Sequence, residues 1–269
     1  METTFLPAPT PEGIREAGDV LRRGGLVAIP TETVYGLAAD AFNGAAVAGI
    51  FRAKGRPQDN PLIVHIGARA QLAELVREIP EAAQKLMDAF WPGPLTLILP
   101  KSGRVPQEVS AGLDTVAVRF PAHPVAQAVI NAAGVPLAAP SANTSGRPSP
   151  TTAQHVWDDL AGKIDAVLDG GACAVGIEST VVDVTQTPPR LLRPGAVTLE
   201  QLRQVVGEVL LDDAVCQPLA AGQAAASPGM KYKHYAPKAR LLLVEGDYPS
   251  YRYYVNAHAA PGVAALCYP

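Results

Sequence analysis

Residues 94–121 read PLTLILPKSGRVPQEVSAGLDTVAVRFP. Two apolar runs in it, 94–100 and 115–121, have the length and bounding prolines of buried strands. No helix-period segment separates them, so this part of the sheet is not built from crossover units alone. Outward from this stretch, strands and helices alternate. Upstream lie helices at Glu81 to Phe90 and Ala68 to Glu78, a strand in PLIVHIG (61–67), a helix from Gly44 to Lys54, a strand in LVAIPT (26–31) and a helix from Pro11 to Arg23. Downstream, a helix from His123 to Ala133 is closed by Gly134, and VPLAAPSA (135–142) is a strand. Thr151 or Thr152 caps a helix ending at Leu160. IDAVLDGG (164–171) and STVVDVT (179–185) are strands, and Leu199 to Val206 is a helix. The alternation predicts an α/β domain, and the helix-free pair makes its sheet mixed.

The chain has 269 residues, 48% of them hydrophobic and only 17% charged, enough for a substantial core. A net charge of −3 argues against non-specific nucleic-acid binding over the whole surface. Cys173, Cys216 and Cys267 are far apart and form no CxxC pair, so free thiols are expected rather than a zinc site or disulfide framework. The N-terminus lacks the basic start and apolar core of a signal peptide, and no apolar run approaches the roughly 20 residues of a membrane span. A cytoplasmic protein with no membrane association is expected. Residues 1–210 form the expected catalytic domain. Residues 211–239 read as a linker, of which 211–230 is rich in Ala, Gly, Gln and Pro. Residues 240–269, with ARLLLVEGD and VAALCYP as strands around a helical or irregular piece, read as the start of a βαβ unit.

Four polar stretches sit at strand ends, where α/β proteins build sites. PTETVYG (30–36) follows LVAIPT and alone is compatible with a simple turn. In KGRPQDNPLIVH (54–65), a glycine and two prolines stiffen a turn carrying Lys54, Arg56 and Asn60. The guanidinium is a planar fork suited to phosphate. APSANTSGRPSPTT (139–152) supplies hydroxyls and amides. GIESTVVDV (176–184) precedes LLRPGAV (191–197) with Arg193. Arg119, inside an apolar strand, either pairs with an acid or binds an anionic ligand, because a lone buried cation is costly. There is no P-loop, GxGxxG, HExxH or GxSxG, and no nucleophile–base pair is legible. Chemistry here would rest on positioning and charge stabilisation.

Taken together and in order, TETVYGL, KxR with NPLIVHI, FWPGPLTLIL, VRFPAHP, PSANTSGRPSPT, GIESTVVD and LLRPGA closely resemble the YrdC-like domain of L-threonylcarbamoyladenylate synthases. SPGMKYKHYAPKA (227–239) resembles the linker of that family's longer, two-domain branch. The resemblance implies an open twisted mixed α/β sheet with a positively charged concave face, followed by a Rossmann-like piece that is shorter here than in the family. It implies condensation of L-threonine, bicarbonate and ATP to threonylcarbamoyl-AMP and pyrophosphate, with Mg²⁺ held mainly by the ATP phosphates rather than by a protein metal site. Partner proteins would then carry the threonylcarbamoyl group to adenosine 37 of tRNAs reading codons that begin with A, with at most a weak tRNA contact by this chain. Lys54, Arg56, Ser141 and Asn143 match the family's catalytic KxR and SxN residues. Asn60, Thr115, Ser149 and Arg193 match further ATP-contacting positions, to which the linker 211–239, as a lid folding over the active site, adds Tyr232 or Tyr235. Thr33, His65, Arg119, Ala139 and Ser179 match the threonine-binding positions. Two rivals remain at this level. One is an RNA-binding module of the same fold without catalysis. The other is a carbamoyl-transfer enzyme of the hydrogenase-maturation type, against which the absent CxxC pairs argue.

Overall fold

Among the described residues, eleven strands build the sheet: β1 (Thr4–Leu6), β2 (Val27–Ile29), β3 (Gly36–Asp40), β4 (Ile63–His65), β5 (Leu95–Pro100), β6 (Thr115–Arg119), β7 (Leu137–Ala138), β8 (Ala166–Leu168), β9 (Thr180–Asp183), β10 (Arg190–Arg193) and β11 (Leu210–Leu211). In this computed structural model, residues 2–216 and 240–267 are described. The strand order is β1-β8-β2-β3-β7-β4-β6-β5-β9-β10-β11, and the two ends do not meet, so the sheet is open. It is mixed. The pair that decided the sequence reading, β5 and β6, is antiparallel with Thr96 opposite Arg119. β4 and β6 run parallel with His65 opposite Arg119, and β5 and β9 run parallel with Thr96 opposite Val181.

The helices begin and end where the side chains supply caps. Thr10, Asn43, Thr152 and Thr198 each accept a first-turn backbone N–H, ahead of helices Pro11–Arg22, Gly44–Lys54, Ala153–Leu160 and Leu199–Val206. Gly55 stops the second of these in the left-handed region at φ 61°, a conformation that a residue with a Cβ adopts reluctantly. Helices Pro11–Arg22 and Pro124–Ala133 pack on β2, β7 and β8 through Leu21, Ile29, Val129 and Leu168. The opposite face carries the larger core, which includes Phe51, Leu86, Val156 and Leu202. A third apolar group, Ile63, Ile98, Ala117, Val181 and Leu192, lies on β4, β5, β6, β9 and β10. Since alternate residues share a face, Ile63, Ile98 and Ala117 lie on the face that carries His65 and Arg119. No helix among the described residues is long and apolar enough to cross a membrane. Among the described cysteines, Cys173 and Cys267 are free.

Several elements depart from the sequence reading. The helix expected over 68–78 is only a 3₁₀ turn, Arg69–Gln71, and a single turn, Leu72–Leu75. Val76 is extended and bridges Lys101, and the Arg77 N–H donates to Pro100 O, so the edge beyond β5 captures backbone that would have continued the helix. Strands β1, β3, β10 and β11 have no counterpart in that reading. Residues 211–216, read as the beginning of a linker, carry the end of β11 and a short helix. The rest of that segment lies outside the described residues.

By its contacts the chain divides at 236/237. In the second unit, helix Tyr248–Ala257 is capped by Asp247, which accepts from the Ser250 N–H at 2.9 Å. The flanking runs read as strands are not strands over 240–246 or 263–267. A strand exists through its ladder partner, and neither run is paired with another. Leu241, Leu243 and Leu266 are more than four-fifths exposed.

Candidate active site

The turn after β2 is built by its own hydroxyls. Thr31 Oγ1 donates to Val34 O at 2.6 Å, which uses its one proton. Thr33 Oγ1, 2.9 Å away, therefore donates to Thr31 and is left to accept from Arg119 Nη1 at 2.8 Å. Arg119 ends β6, is 3% exposed, and forms an ion pair with Glu32 at 2.7 Å. Its Nε donates to Gly93 O at 3.3 Å. The acid that sequence reasoning left open as Arg119's partner is thus Glu32. Burial pushes the Glu32 carboxyl up, but the Arg119 charge and its hydrogen bonds outweigh this and hold it below the ordinary carboxylate value.

His65, across the ladder from Arg119, is 4% exposed, and its Nδ1 has no hydrogen-bond partner. Burial, helped by the Arg119 charge, pushes its pKa down to about 3, so the imidazole is neutral near pH 7. This fixes the sign of a stability effect. Below pH 6.5 the unfolded chain takes up a proton that the folded chain refuses, and stability is lost as pH falls from 6.5 toward 3. Between pH 7.5 and 5 the loss amounts to about 2 kcal/mol. In urea unfolding, His65→Asn is expected to lack this component, so that the gap between variant and parent changes by that amount. An unchanged gap would mean that His65 titrates normally.

Lys54 and Arg56 leave the same turn in different directions. Lys54 is 2% exposed. Its Nζ donates to the carbonyls of Ser141 and of Asn143, the latter at 2.6 Å, and to Asn143 Oδ1 at 3.3 Å. Ser145 N–H in turn donates to Lys54 O at 2.9 Å, so the 141–147 loop is fastened to the end of helix Gly44–Lys54. Burial pulls the Lys54 pKa down to about 7, Arg56 adds repulsion, and Asp159 opposes both. Arg56 lies 5.9 Å from the Phe51 ring centre and donates from Nη2 to Pro61 O at 3.3 Å. Asn60 is fully buried, and neither of its amide atoms has a hydrogen-bond partner. Such an orphan is costly in a folded protein.

Arg193 ends β10 and reaches back to β9. Its Nε donates to Ser179 O at 3.0 Å and its Nη2 to Ser179 Oγ at 3.2 Å, while Thr96 Oγ1 stands 2.7 Å from that hydroxyl. The approach requires Gly195. A Cβ there would fall 2.5 Å from Thr180 N and 2.6 Å from Glu178 O, both backbone atoms that cannot swing aside.

These elements enclose one cleft. Of the residues singled out in the sequence, Thr33, His65, Arg119, Ala139 and Ser179 line it on the side of the β4–β6 row, and Arg56, Ser141 and Arg193 line it as well. Lys54 and Asn143 lie behind it, holding the loop that presents Ser141. Asn60 lies under Arg56. Thr115 opens β6 on the face of Arg119, beyond Ala117. Ser149 has a buried hydroxyl oxygen without a partner. None of these five is among the lining residues. Tyr232 and Tyr235 lie outside the described residues. The sequence reading missed Glu178, which lines the cleft with a buried, unpartnered Oε1. Its only sequence signal is adjacency to Ser179. Among the described residues no three His, Cys, Asp or Glu side chains gather as a metal cage.

In an open mixed α/β sheet, Arg119 and Arg193 at strand ends, Arg56 in the turn after helix Gly44–Lys54, a neutral imidazole and small hydroxyls gather donors suited to an anionic ligand beside a small polar one. The chain belongs to the Sua5/YciO/YrdC family. That family's model, described as "Telomere recombination", matches residues 19–195, and a second, "Threonylcarbamoyl-AMP synthase, C-terminal domain", matches residues 197–268. The chain is 55% identical over 233 residues to a threonylcarbamoyl-AMP synthase of Pyrococcus abyssi, covering 87% of this chain and 68% of that protein. It is 52% identical over 235 residues to one of Bacillus subtilis, covering 87% and 67%. A crystal structure of P. abyssi Sua5 complexed with L-threonine superposes with a TM-score of 0.90 at 50% identity, covering 95% of this chain and 75% of that one. The chain thus spans about two thirds of the length of these two relatives.

Proposed function

We propose that this chain is a nucleotidyltransferase that condenses L-threonine, bicarbonate and ATP to threonylcarbamoyl-AMP and pyrophosphate. The observation that carries the reading is the adjacency, in one cleft, of an amino-acid-sized polar row and two further guanidiniums, Arg56 and Arg193. Relatives named for this activity and a threonine-complexed relative of high identity support it. Arg119 offers its remaining Nη protons to the threonine carboxylate, Thr33 and Ser179 offer hydroxyl oxygens, Ala139 offers backbone, and neutral His65 accepts from the threonine hydroxyl. The threonine amine, once it has lost its ammonium proton, attacks the carbon of bicarbonate, water leaves, and the resulting N-carboxylate attacks the α-phosphorus of ATP with loss of pyrophosphate. Charge grows on the phosphoryl and leaving oxygens, where Arg56, Arg193 and Ser141 stabilise it. Asn60, Thr115 and Ser149 extend the nucleotide side, while Lys54 and Asn143 set the loop. A cleft lined by three guanidiniums and one carboxylate is a poor metal cage of its own, so Mg²⁺ would come bound to ATP and would supply neutralisation of triphosphate charge. The product goes to proteins that modify tRNA adenosine 37.

Pyrophosphate release from ATP tests the reading. Release is expected to require both threonine and bicarbonate, and release indifferent to threonine would overturn it. Arg56→Ala is expected to lower the rate more than tenfold with the melting temperature retained. A near-parental rate would remove Arg56 from the phosphate side.

A further inference from the structure

The chemistry above leaves one end of the amino acid without a partner. Threonine enters as a zwitterion. Arg56 and Arg193 suit the triphosphate but repel the ammonium, and Arg119, paired with Glu32 at 2.7 Å, offers donors to the carboxylate alone. A cation entering a cleft lined by three guanidiniums needs a counter-charge there. Glu32 is already paired with Arg119 at 2.7 Å and is not among the lining residues. His65 is neutral and supplies no charge. Glu178 is the single carboxylate that lines the cleft among the described residues, and its Oε1 is buried without a hydrogen-bond partner. Its carbonyl packs against Gly195, where a Cβ would fall 2.6 Å from Glu178 O, and the next residue, Ser179, is hydrogen-bonded to Arg193 and Thr96. An unpartnered acceptor next to this hydrogen-bonded residue, whose hydroxyl lines the same cleft, suits a small cation.

We propose that Glu178 is a substrate-binding residue whose carboxylate receives the α-ammonium of the incoming amino acid. The assignment rests on the threonine reading of this cleft. It makes the cleft read both charged ends of a zwitterion, with Arg119 for one and Glu178 for the other. Small 2-hydroxy acids that share the carboxylate are thereby discriminated against.

The test is calorimetric titration of the full chain, parent and Glu178→Gln, with L-threonine and with 2,3-dihydroxybutanoate, which replaces the amine by a hydroxyl. The parent is expected to bind threonine at least tenfold more tightly than the analogue. The variant should lose at least tenfold in threonine affinity while its analogue affinity stays within twofold. Threonine affinity within twofold of parent would overturn the assignment, as would an equal loss for both ligands, which marks a structural role. A shift in the Mg²⁺ requirement for ATP binding with threonine affinity unchanged would also overturn it and give the carboxylate to the metal. If the parent binds no threonine at all, the functional reading falls and this assignment falls with it. Threonine binding by the parent with an indifferent variant sinks this assignment alone.

Discussion

Replacing Lys54 with methionine is expected to cost about 3 kcal/mol of stability and to slow pyrophosphate release about a hundredfold. Methionine keeps most of the volume but removes the donors that satisfy Ser141 O and Asn143 O. A buried carbonyl left unpaired costs roughly 1–3 kcal/mol, and two are affected. The loop then relaxes away from helix Gly44–Lys54 and takes Ser141 out of the cleft. Urea unfolding reads the first effect and the pyrophosphate assay the second. A variant with parental stability and lowered rate would mean that Lys54 meets the nucleotide instead of shaping the loop. A variant parental in both would remove it from the site.

Arg119→Met is expected to do comparable damage for a different reason. It strands Glu32 in a buried position, and breaking a buried ion pair from one side costs about 3–5 kcal/mol. Thr33 loses the donor that orients its hydroxyl. Threonine affinity should fall more than a hundredfold. The companion variant Glu32→Gln/Arg119→Met separates the two effects. It should recover most of the stability, because no charge is left unpaired, and none of the threonine affinity. Recovery of both would show that Arg119 serves the fold alone.

Much of this architecture is legible in the sequence because its punctuation is local. The Gly44–Lys54 helix is bounded by Asn43 and Gly55, and the Pro124–Ala133 helix by His123 and Gly134. Such caps depend on neighbours in the chain. Strand β3 is not legible for the opposite reason. GLAAD has small side chains and no strand propensity, and it is a strand because β2 and β7 flank it. The run 240–246 shows the converse, with strong apolar character but no ladder. In the site, the residues that line the cleft come from turns whose composition stands out. Lys54 and Arg56 are two positions apart, and only the left-handed turn at Gly55 reveals that one ends behind the loop and the other inside the cleft. Glu178 could not be singled out, since a single acid in a polar turn has no pattern. What distinguishes it is the absence of a partner, and absence is visible only in three dimensions.

The in-register pairing of His65 with Arg119, and of Arg119 with Thr96, has a consequence for how this protein can vary. Side chains along such a row are spaced by the ladder itself, close to 4.8 Å from strand to strand. The distance between subsites is then a property of the backbone, insensitive to which side chains occupy it. Exchange of a residue within the row retunes which small molecule is accepted while the spacing stays fixed. Deletion of one residue inside β4 turns His65 to the far side of the sheet and erases that end of the row at once. Over evolutionary time, selectivity can drift by substitution along these strands, whereas changes of length are confined to the loops between them.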